Sequence, residues 1–378
     1  MILSRTTMAD RKHREPWQKE GENGCPNLPG AVRGRLLLSH SGRRDPENPT
    51  LMNGMVKTGQ SDILCNAAAP YPLRESIGWL WRNISGVRKK NPCGIQPLPQ
   101  QAVLNSINPR LSLGFVGDIM DMGGKALSIS PAVRDFFQSC GYLIGNFEGT
   151  ITNTGKSVID AQRHDPAILD ALSELFPPDR TLLSVANNHA GDFSALVFND
   201  SLNYLRVRGF HVFGLQQGPF ADAAGLVRIV AASMWSNRPC RAIASLDSLD
   251  RCCNPASFNV AYPHWGYELE MFPRPAIVRA GGRLFETYGA VMGHHSHVPQ
   301  PLAALQCGDT AKLLAFSLGD FCTGLRFKKF QYGIVCKTEI GPGDDGVWRI
   351  GAVHWCYTRV SPDGPNSVKV DFVPDLRL

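Results

Sequence analysis

The sequence predicts an α/β fold. Across residues 111–325, short apolar runs typical of buried strands alternate with segments whose apolar residues recur at helical spacing. Several of these runs end directly in carboxylate, amide or imidazole side chains. Ligands of open α/β sheets bind outside the carboxyl ends of the strands, so the second pattern predicts one shared site at the strand ends.

Composition divides the 378 residues into three parts. Residues 1–108 are rich in Pro, Gly, Arg, Asn and Ser and almost lack apolar periodicity, which predicts a poorly ordered N-terminal extension. Residues 109–330 carry the alternating pattern and are predicted to form the folded domain. Residues 331–378 contain two alternating runs around a glycine-rich turn, which predicts a C-terminal β-hairpin that completes the sheet at its edge.

One segment of the extension has helical spacing. Residues 74–90 place four apolar side chains on one face, with several Arg and Lys nearby; the four are Ile77, Leu80, Trp81 and Ile84. The segment is interpreted either as an amphipathic helix at a membrane surface or as a helix or linker beside the main domain. Gly78 and Gly86 weaken a helix, which favours the second interpretation.

The elements of the main domain follow in chain order. Predicted strands cover residues 111–120, 142–152, 181–186, 211–215, 225–233, 258–264, 290–293 and 313–320, and the hairpin covers 332–340 and 349–360. Predicted helices cover residues 132–141, 165–176, 194–209 and 273–289.

Charge, hydropathy and cysteine usage exclude several classes of protein. The net charge of +6 is mild, and no basic block with interleaved aromatic residues indicates a nucleic-acid partner. There is no apolar run of about 18 residues and no signal-peptide core. The eleven cysteines are scattered without a C-x-x-C pair, which is typical of reduced, buried thiols. A cytoplasmic or peripherally membrane-associated protein is expected.

A histidine cluster is the first candidate site. His294, His295 and His297 directly follow the apolar run that ends at Gly293. Neutral imidazole is the commonest protein ligand for a metal ion. An exposed cluster without function is the alternative, but three imidazoles after a buried strand favour metal binding.

Five further strand ends carry similar chemistry. With the histidine cluster, the strand-end residues are Asp118, Asn146, Glu148, Asn187, Asn188, His189, His264, His295, His297 and Asp320. Each one alone has a structural explanation, such as a turn, an ion pair or core packing, but together they favour a shared function. Mixed oxygen and nitrogen ligands without thiolate suit one or two divalent ions, Mn, Fe, Zn or Mg, in a hydrolytic centre.

Six motifs occur in an order that resembles a known family. They are GDIM (117–120), GNFEGTIT (145–152), SVANNHAGDF (184–193), HWGYELE (264–270), GHHSHVPQP (293–301) and FSLGDF (316–321). Residues 111–325 thereby resemble the CapA/PgsA family of bacterial capsule and poly-γ-glutamate synthesis proteins, related to calcineurin-like metallophosphoesterases. The resemblance implies a calcineurin-like four-layer α/β/β/α sandwich with the metal site at the carboxyl ends of the strands.

The resemblance also implies roles for individual residues. The expected metal ligands are Asp118, Glu148, Asn188, His264, His295 and His297. Asp118 and His297 would hold one ion, Glu148 would bridge, and the other three would hold a second ion. His189 would be the general acid, and Asn187 would bind substrate. The expected partners are an anionic or phosphorylated substrate, such as capsule or polyglutamate polymer, and subunits of a synthesis complex.

Three departures from the family pattern leave alternatives open. Met120 stands where the wider phosphoesterases carry a histidine, so one metal ion instead of two is an alternative. Asp320 stands where the family usually has asparagine, and no N-terminal membrane anchor is visible. Two functions therefore remain: a metal-dependent phosphoester hydrolase, or a non-catalytic subunit of a polymer synthesis or export complex that binds metal and anionic polymer.

Overall fold

The computed structural model describes residues 70–156 and 160–378, together with the backbone of residues 31–33. Two large sheets form its centre. The first has seven strands in the order β1 (Ala31–Arg33), β14 (Leu302–Cys307), β15 (Thr310–Ala315), β13 (Ala290–Met292), β12 (Phe258–His264), β11 (Val227–Ser233) and β10 (Phe220–Ala223). Its strands β11, β12 and β13 are parallel, so their carboxyl ends meet at one edge.

The second sheet has ten strands. Eight follow in the order β4 (Ala126–Ile129), β19 (Ser367–Val373), β18 (Trp348–Pro362), β17 (Tyr332–Pro342), β3 (Leu111–Ile119), β5 (Tyr142–Phe147), β8 (Thr181–Ser184) and β9 (His211–Phe213), with β2 (Gln101–Val103) on β18 and β16 (Asp320–Cys322) on β3. Strands β3, β5 and β8 are parallel. A separate pair is formed by β6 (Thr150–Ile151) and β7 (Arg163–His164).

Helices cover the outer faces of both sheets. They are α1 (Leu73–Ser85), α2 (Pro131–Phe137), α3 (Ile168–Leu175), α4 (Ala195–Val207), α5 (Asp247–Arg251) and α6 (Pro275–Leu284). Local chemistry sets several of their ends: the Ser130 and Ser194 hydroxyls accept from the amides of Val133 and Val197 at the starts of α2 and α4. Gly209, with φ of 90°, follows the end of α4.

The apolar core has three layers. The middle layer lies between the sheets and includes Phe115 of β3, Tyr262 of β12 and Met292 of β13. One outer layer packs α2, α3 and α4 on the ten-stranded sheet, and the other packs α6 on the seven-stranded sheet. The order of layers is therefore α/β/β/α, which confirms the predicted sandwich. No helix within the described part of the chain is long and apolar enough to cross a membrane.

The structure differs from the expected domain boundary at residue 108. Residues 70–108 contain α1 and β2, and Tyr71 and Ile95 are buried in the outer core layer. The sequence showed little apolar periodicity here because single aromatic and aliphatic residues, not a regular stripe, anchor the segment. Of the expected extension, residues 1–30 and 34–69 lie outside the described residues.

Two other predicted elements need correction. The C-terminal hairpin forms as β17 and β18, but it lies inside the sheet, between β3 on one side and β19 and β4 on the other. The predicted strand over residues 313–320 is two elements, since β15 belongs to the seven-stranded sheet and β16 begins at Asp320 in the other. Gly319, with φ of 67°, allows the change of sheet and brings Asp320 opposite Asp118.

Candidate metal centre

The strand ends of both sheets deliver polar side chains to one buried cluster. Asp118 lies near the end of β3, and Glu148 follows β5. His264 ends β12, and the loop after β13 carries the three histidines. The side chains offer ligand atoms within 4.8 Å of one another in three overlapping groups: Asp118, His264 and His294; Glu148, His295 and His297; and Asp118, His297 and Asp320.

Two carboxylates form the acidic part of the cluster. Asn146 Nδ2 donates to Asp118 Oδ1 at 2.8 Å and to Glu148 Oε2 at 3.2 Å, so one amide holds both. Asp118 Oδ2 accepts from the backbone amide of His295 at 3.0 Å. The other oxygen of Glu148, Oε1, has no hydrogen-bond partner. It lies 3.7, 3.8 and 3.9 Å from Nε2 of three imidazoles, those of His189, His264 and His297.

Three imidazoles meet edge to edge. His264 Nδ1 lies 2.7 Å from His294 Nδ1, and His264 Nε2 lies 2.9 Å from His295 Nδ1. His264 Nε2 is also 2.6 Å from Asn188 Oδ1. A neutral imidazole carries one N–H, so ring nitrogens this close need a shared proton or a shared cation. His295 Nδ1 and Asn188 Oδ1 therefore meet at His264 Nε2, while His294 contacts the other nitrogen of the same ring.

The histidine loop holds an uncommon backbone conformation. His295 and His297 have φ of 100° and 55°, a region that non-glycine residues rarely adopt. Such strain costs about 1–3 kcal/mol per residue and is kept where the surrounding structure imposes it. Here the result is that His295 faces His264 while His297 Nδ1 lies 2.9 Å from Asp320 Oδ1.

Burial and neighbouring charge separate the pKa values of these groups. Burial and the adjacent imidazoles lower the pKa values of His264 and His295 well below the usual range, so both rings are neutral. Burial also lowers the pKa of His297, but the charges of Asp320 and Glu148 outweigh it and leave that pKa well above normal.

The pKa values of the three carboxylic acids in the cluster also diverge. Burial raises the pKa of Asp118, but its hydrogen bond and charge interaction with His294 bring the net value to about 2. Burial and the charge of Asp118 raise the pKa of Glu148 well above its ordinary value. Burial likewise raises the pKa of Asp320 to about 7, against the opposing effect of His297. Divergent pKa values of this kind are typical of functional sites.

The residues present fit a divalent ion. Glu148 Oε1 and Asp320 Oδ2 are buried carboxylate oxygens without hydrogen-bond partners, which is costly unless a cation neutralises them. The donor set combines carboxylate oxygen, amide oxygen and neutral imidazole nitrogen, which suits Mn, Fe or Zn. Asp320 joins Asp118 and His297, so this group keeps a third ligand although Met120 replaces the expected histidine.

His189 lies beside the cluster and is held by a carboxylate. Its Nδ1 is 2.6 Å from Asp192 Oδ2, while its Nε2 is 3.7 Å from Glu148 Oε1. Asp192 Oδ2 also accepts from the backbone amide of Gln162 at 2.9 Å. The carboxylate thus fixes the ring so that Nε2 faces the centre, the orientation that a general acid requires.

The two asparagines of the ANNHA motif have different surroundings. The Asn188 side chain meets His264 as described, and its Nδ2 donates to Asn237 Oδ1 at 2.9 Å. Asn187 Nδ2 donates to the carbonyl of Phe147 at 2.9 Å, and its Oδ1 accepts from the amide of His189. Both polar atoms of Asn187 are thus engaged inside the protein. Its placement supports a role in positioning His189, and substrate binding by Asn187 stays a prediction.

All six predicted ligands meet in this cluster, but the prediction omitted several participants. His294 and Asp320 belong to the ligand groups, Asn146 joins the two carboxylates, and Asp192 orients His189. His294 stood in the histidine triplet, and Asp320 and Asn146 stood at predicted strand ends, so a signal existed without an assigned role. Tyr71, whose hydroxyl lies 2.9 Å from His295 Nε2, had no sequence signal.

Together the fold and the site define the class of protein. Two packed sheets between helical layers, with carboxylates and imidazoles gathered at the strand ends, form an α/β/β/α sandwich domain with a candidate metal centre. More specifically, the family model described as "Bacterial capsule synthesis protein PGA_cap" matches residues 112–232 and 237–324, more than half of the chain. The chain belongs to this family.

Individual relatives agree with the family. The chain is 26% identical over 247 residues to the PGA biosynthesis protein CapA of Bacillus subtilis (strain 168), covering 56% of this chain and 63% of the relative. It is 24% identical over 258 residues to the capsule biosynthesis protein CapA of Bacillus anthracis, covering 57% and 60%. The matched region thus spans less than two thirds of either relative.

A solved structure is also similar to the chain. It is a Staphylococcus aureus protein provisionally described as a 5′-nucleotidase, 12% identical, with a TM-score of 0.37 over 65% of this chain and 54% of the other. The α/β/β/α order of layers follows from the sheet topology of this chain alone.

Proposed function

We propose that the chain is a metal-dependent phosphoester hydrolase that acts in the production of capsule or poly-γ-glutamate. The observation that carries this proposal is the partnerless Glu148 Oε1, buried among the Nε2 atoms of three imidazoles. The family supports the biological setting. The substrate class is an anionic, phosphate-bearing molecule, since a cationic centre attracts phosphate oxygens.

We expect the metal-binding residues to divide into two sets. Asp118, His297 and Asp320 would hold one ion, and His264, His295 and Asn188 would hold a second, with Glu148 between the two sets. When bound, divalent ions at such a centre polarise the phosphate and lower the pKa of an attacking water.

The remaining chemistry belongs to His189. In its protonated form, the Nδ1–H donates to Asp192, and the carboxylate stabilises the positive ring. The Nε2–H then faces the centre and passes its proton to the leaving oxygen as the phosphoester bond breaks. The backbone amide of His189 is held by Asn187 Oδ1, so the ring is positioned from two sides.

Turnover with added Mn²⁺ tests the proposal. A His189→Ala protein should lose about 10²–10⁴-fold in kcat on a phosphomonoester or phosphodiester with a poor leaving group, because proton donation to the leaving oxygen is lost. Its Mn²⁺ content should equal that of the parent protein, since His189 belongs to none of the ligand groups. Equal kcat values for the parent and His189→Ala would show that His189 is not the general acid.

A second function is favoured by the first motif, GDIM (117–120). Met120 lies where the wider superfamily has a metal-binding histidine, and a centre with fewer ligands suits binding without catalysis. A non-catalytic subunit would bind anionic polymer, such as polyglutamate, only when metal is present. Mn²⁺-dependent retention of polyglutamate without any phosphoester turnover would favour this alternative.

A further inference from the structure

The segment before the family-matched region reaches the metal centre through Tyr71. Its hydroxyl lies 2.9 Å from His295 Nε2. The ring is buried and packs edge-on against Trp235, with centroids 4.9 Å apart, and stacks on Tyr267 at 5.9 Å. Residue 71 precedes the first matched residue, 112, so the family pattern does not include this contact.

The partners of the Tyr71 hydroxyl determine which way each hydrogen bond runs. The backbone amide of Glu268 donates to it at 3.1 Å, and the hydroxyl donates to Glu268 Oε1 at 3.3 Å. A phenol has one hydrogen to donate, so His295 Nε2 is the donor to Tyr71. His295 then carries its hydrogen on Nε2, which leaves the Nδ1 lone pair directed at His264 Nε2, 2.9 Å away.

Glu268 is itself held by the same segment. Trp79 Nε1 donates to Glu268 Oε2 at 2.6 Å, and Arg82 Nε donates to the carbonyl of Glu268 at 2.7 Å. The next residue, Leu269, donates its backbone amide to the carbonyl of Ser296, inside the histidine loop. A continuous set of hydrogen bonds therefore joins α1, the loop around Glu268 and the loop that carries His295.

We propose that Tyr71, held by Glu268, is a positioning residue of the metal centre that fixes His295 with its hydrogen on Nε2 and its Nδ1 lone pair free for a divalent ion. Groups that hold the second nitrogen of a metal-binding imidazole commonly set both its tautomer and its orientation. The proposal rests on the proposed function, because it assumes that His295 is a ligand.

Tyr71→Phe keeps the buried ring and removes only the hydroxyl. Its affinity for Co²⁺, measured by competition with a chelator, should fall by about 10- to 100-fold. The visible spectrum of bound Co²⁺ should change, because the second set of ligands loses a fixed imidazole. Tyr288→Phe is the matched control: it removes a buried hydroxyl that donates to the carbonyl of Leu249 at 2.7 Å, away from the centre.

Three outcomes decide the proposal. Parental Co²⁺ affinity and spectrum in Tyr71→Phe would overturn it, as would an equal loss of affinity in Tyr288→Phe. If Tyr71→Phe does not fold, Trp79→Phe removes one hydrogen bond to Glu268 and should lower the affinity to a smaller extent; parental affinity there would count against the proposal. A parent protein that binds Co²⁺ but hydrolyses no phosphoester would contradict the proposed hydrolase function and leave the role of Tyr71 unaffected.

A separate observation concerns the outer face of α1. The helix packs its polar side on the domain, where Arg82 is 6% exposed, and turns its apolar side outwards. We define the α1 patch as Leu73, Ile77, Leu80, Trp81, Ile84 and Phe327, which are 53–74% exposed. Phe327 is included in the patch because its loop contacts α1: Lys329 Nζ donates to the carbonyl of Asn83, a residue of the helix, at 2.7 Å.

The charges around the α1 patch identify its partner. Arg74 lies in the helix itself, Arg326 and Lys328 lie on either side of Phe327 in the sequence, and all three are exposed. The acidic residue of the helix, Glu75, is turned inwards and bound by Arg82 and Arg274. Apolar side chains that include Trp, set among cations, are typical of helices lying in the surface of an anionic bilayer. We infer that the α1 patch docks on an anionic lipid surface.

Vesicle sedimentation of the full chain tests this second inference. The protein should pellet with mixed phosphatidylglycerol and phosphatidylcholine vesicles, less so at high salt, and not with phosphatidylcholine alone. A Trp81→Ser, Ile84→Ser protein should stay in the supernatant. The control is Leu196→Ser, Val207→Ser, which changes two apolar residues of α4 that are 71% and 86% exposed, against 67% and 74% for Trp81 and Ile84, and it should behave as the parent.

Two results would overturn the lipid assignment. One is a parent protein that does not pellet with the phosphatidylglycerol vesicles. The other is a concentration-dependent dimer, seen by light scattering, that the Trp81→Ser, Ile84→Ser protein no longer forms, because the patch would then join two copies of the chain.

Discussion

Replacing Glu148 by glutamine should remove the stabilisation that metal gives while leaving the metal-free fold at least as stable. Glu148 Oε1 is buried without a hydrogen bond, next to the charge of Asp118. Glutamine has nearly the same shape and keeps an oxygen for Asn146, but it has no charge to bury. The substitution should therefore maintain or raise the stability of the metal-free protein and lower the stability that metal adds, a combination that few structural substitutions produce.

The size of the effect follows from linkage. Mn²⁺ at 100 times its dissociation constant stabilises the parent protein by about 2.7 kcal/mol. Residues that only hydrogen-bond to a ligand contribute up to about 100-fold in metal affinity, so loss of a ligand itself should weaken Mn²⁺ binding by at least about 100-fold. At the same Mn²⁺ concentration, the variant is then stabilised by no more than about 0.4 kcal/mol. The unfolding entropy of a fold of roughly 300 residues gives about 1.6 °C per kcal/mol, so Mn²⁺ should raise the melting temperature by about 4 °C in the parent and under about 1 °C in the variant.

Calorimetry with Mn²⁺ and with chelator measures both quantities. Glu174→Gln is the control, because that side chain is 70% exposed and belongs to none of the ligand groups. The pKa of Glu148 is raised in the fold, so its contribution to metal-free stability is present at low pH and is lost as the pH rises above 4.5, the ordinary value. The stability of the variant relative to the parent should therefore grow with pH. A parental response to Mn²⁺ in Glu148→Gln would refute its place among the ligands.

Three further predictions concern pH, proton transfer and packing. Metal binding should release protons and tighten as the pH rises, because the metal-free fold raises the pKa values of Glu148 and His297 and a ligand must give up its proton to bind the ion; calorimetric titration in two buffers of different ionisation enthalpy measures this, and no release would contradict it. Asp192→Asn should lower kcat while leaving Mn²⁺ content unchanged, since it weakens the contact that orients His189, the proposed general acid, and Asp192 belongs to none of the ligand groups; unchanged kcat would contradict it. Gly293→Ala should lower the free energy of unfolding by about 1–3 kcal/mol or more, because the added Cβ would lie 2.3 Å from the carbonyl oxygen of Phe316 and 2.4 Å from the indole nitrogen of Trp265. In the control, Gly218→Ala, the Cβ meets nothing within 4 Å, so the loss should be far smaller. Equal melting temperatures for the two variants would contradict this prediction.

Much of the fold could be predicted because buried parallel strands leave a strong signal. Runs such as residues 111–119 and 258–264 are mostly apolar and are buried along most of their length, as expected of strands covered on both faces. The change of sheet between β15 and β16 left no such signal, since residues 313–321 read as one apolar run. Only the three-dimensional contacts of Gly319 show why the chain turns there.

The site was predictable to the extent that its residues follow strands. Asp118, His264 and the histidine loop meet because parallel strands end at the same edge. Tyr71 and Asp192 act through hydrogen bonds formed across the fold or within a loop, and no periodicity marks them. Residues 70–108 were misjudged for the same reason: their anchors are isolated side chains, and composition describes only averages over the segment.

The ligand geometry is imposed by the two sheets and not by attraction among the ligands. Without a cation, the centre gathers three fully buried carboxylates, those of Asp118, Glu148 and Asp320, and two residues with strained backbones. Each of these features is unfavourable by itself. The apolar layer between the sheets, where Phe115, Tyr262 and Met292 are almost inaccessible, supplies the compensating stability and fixes the strand ends. An ion would therefore find the proposed ligands already in place, which is why changing one of them should alter affinity far more than it alters folding.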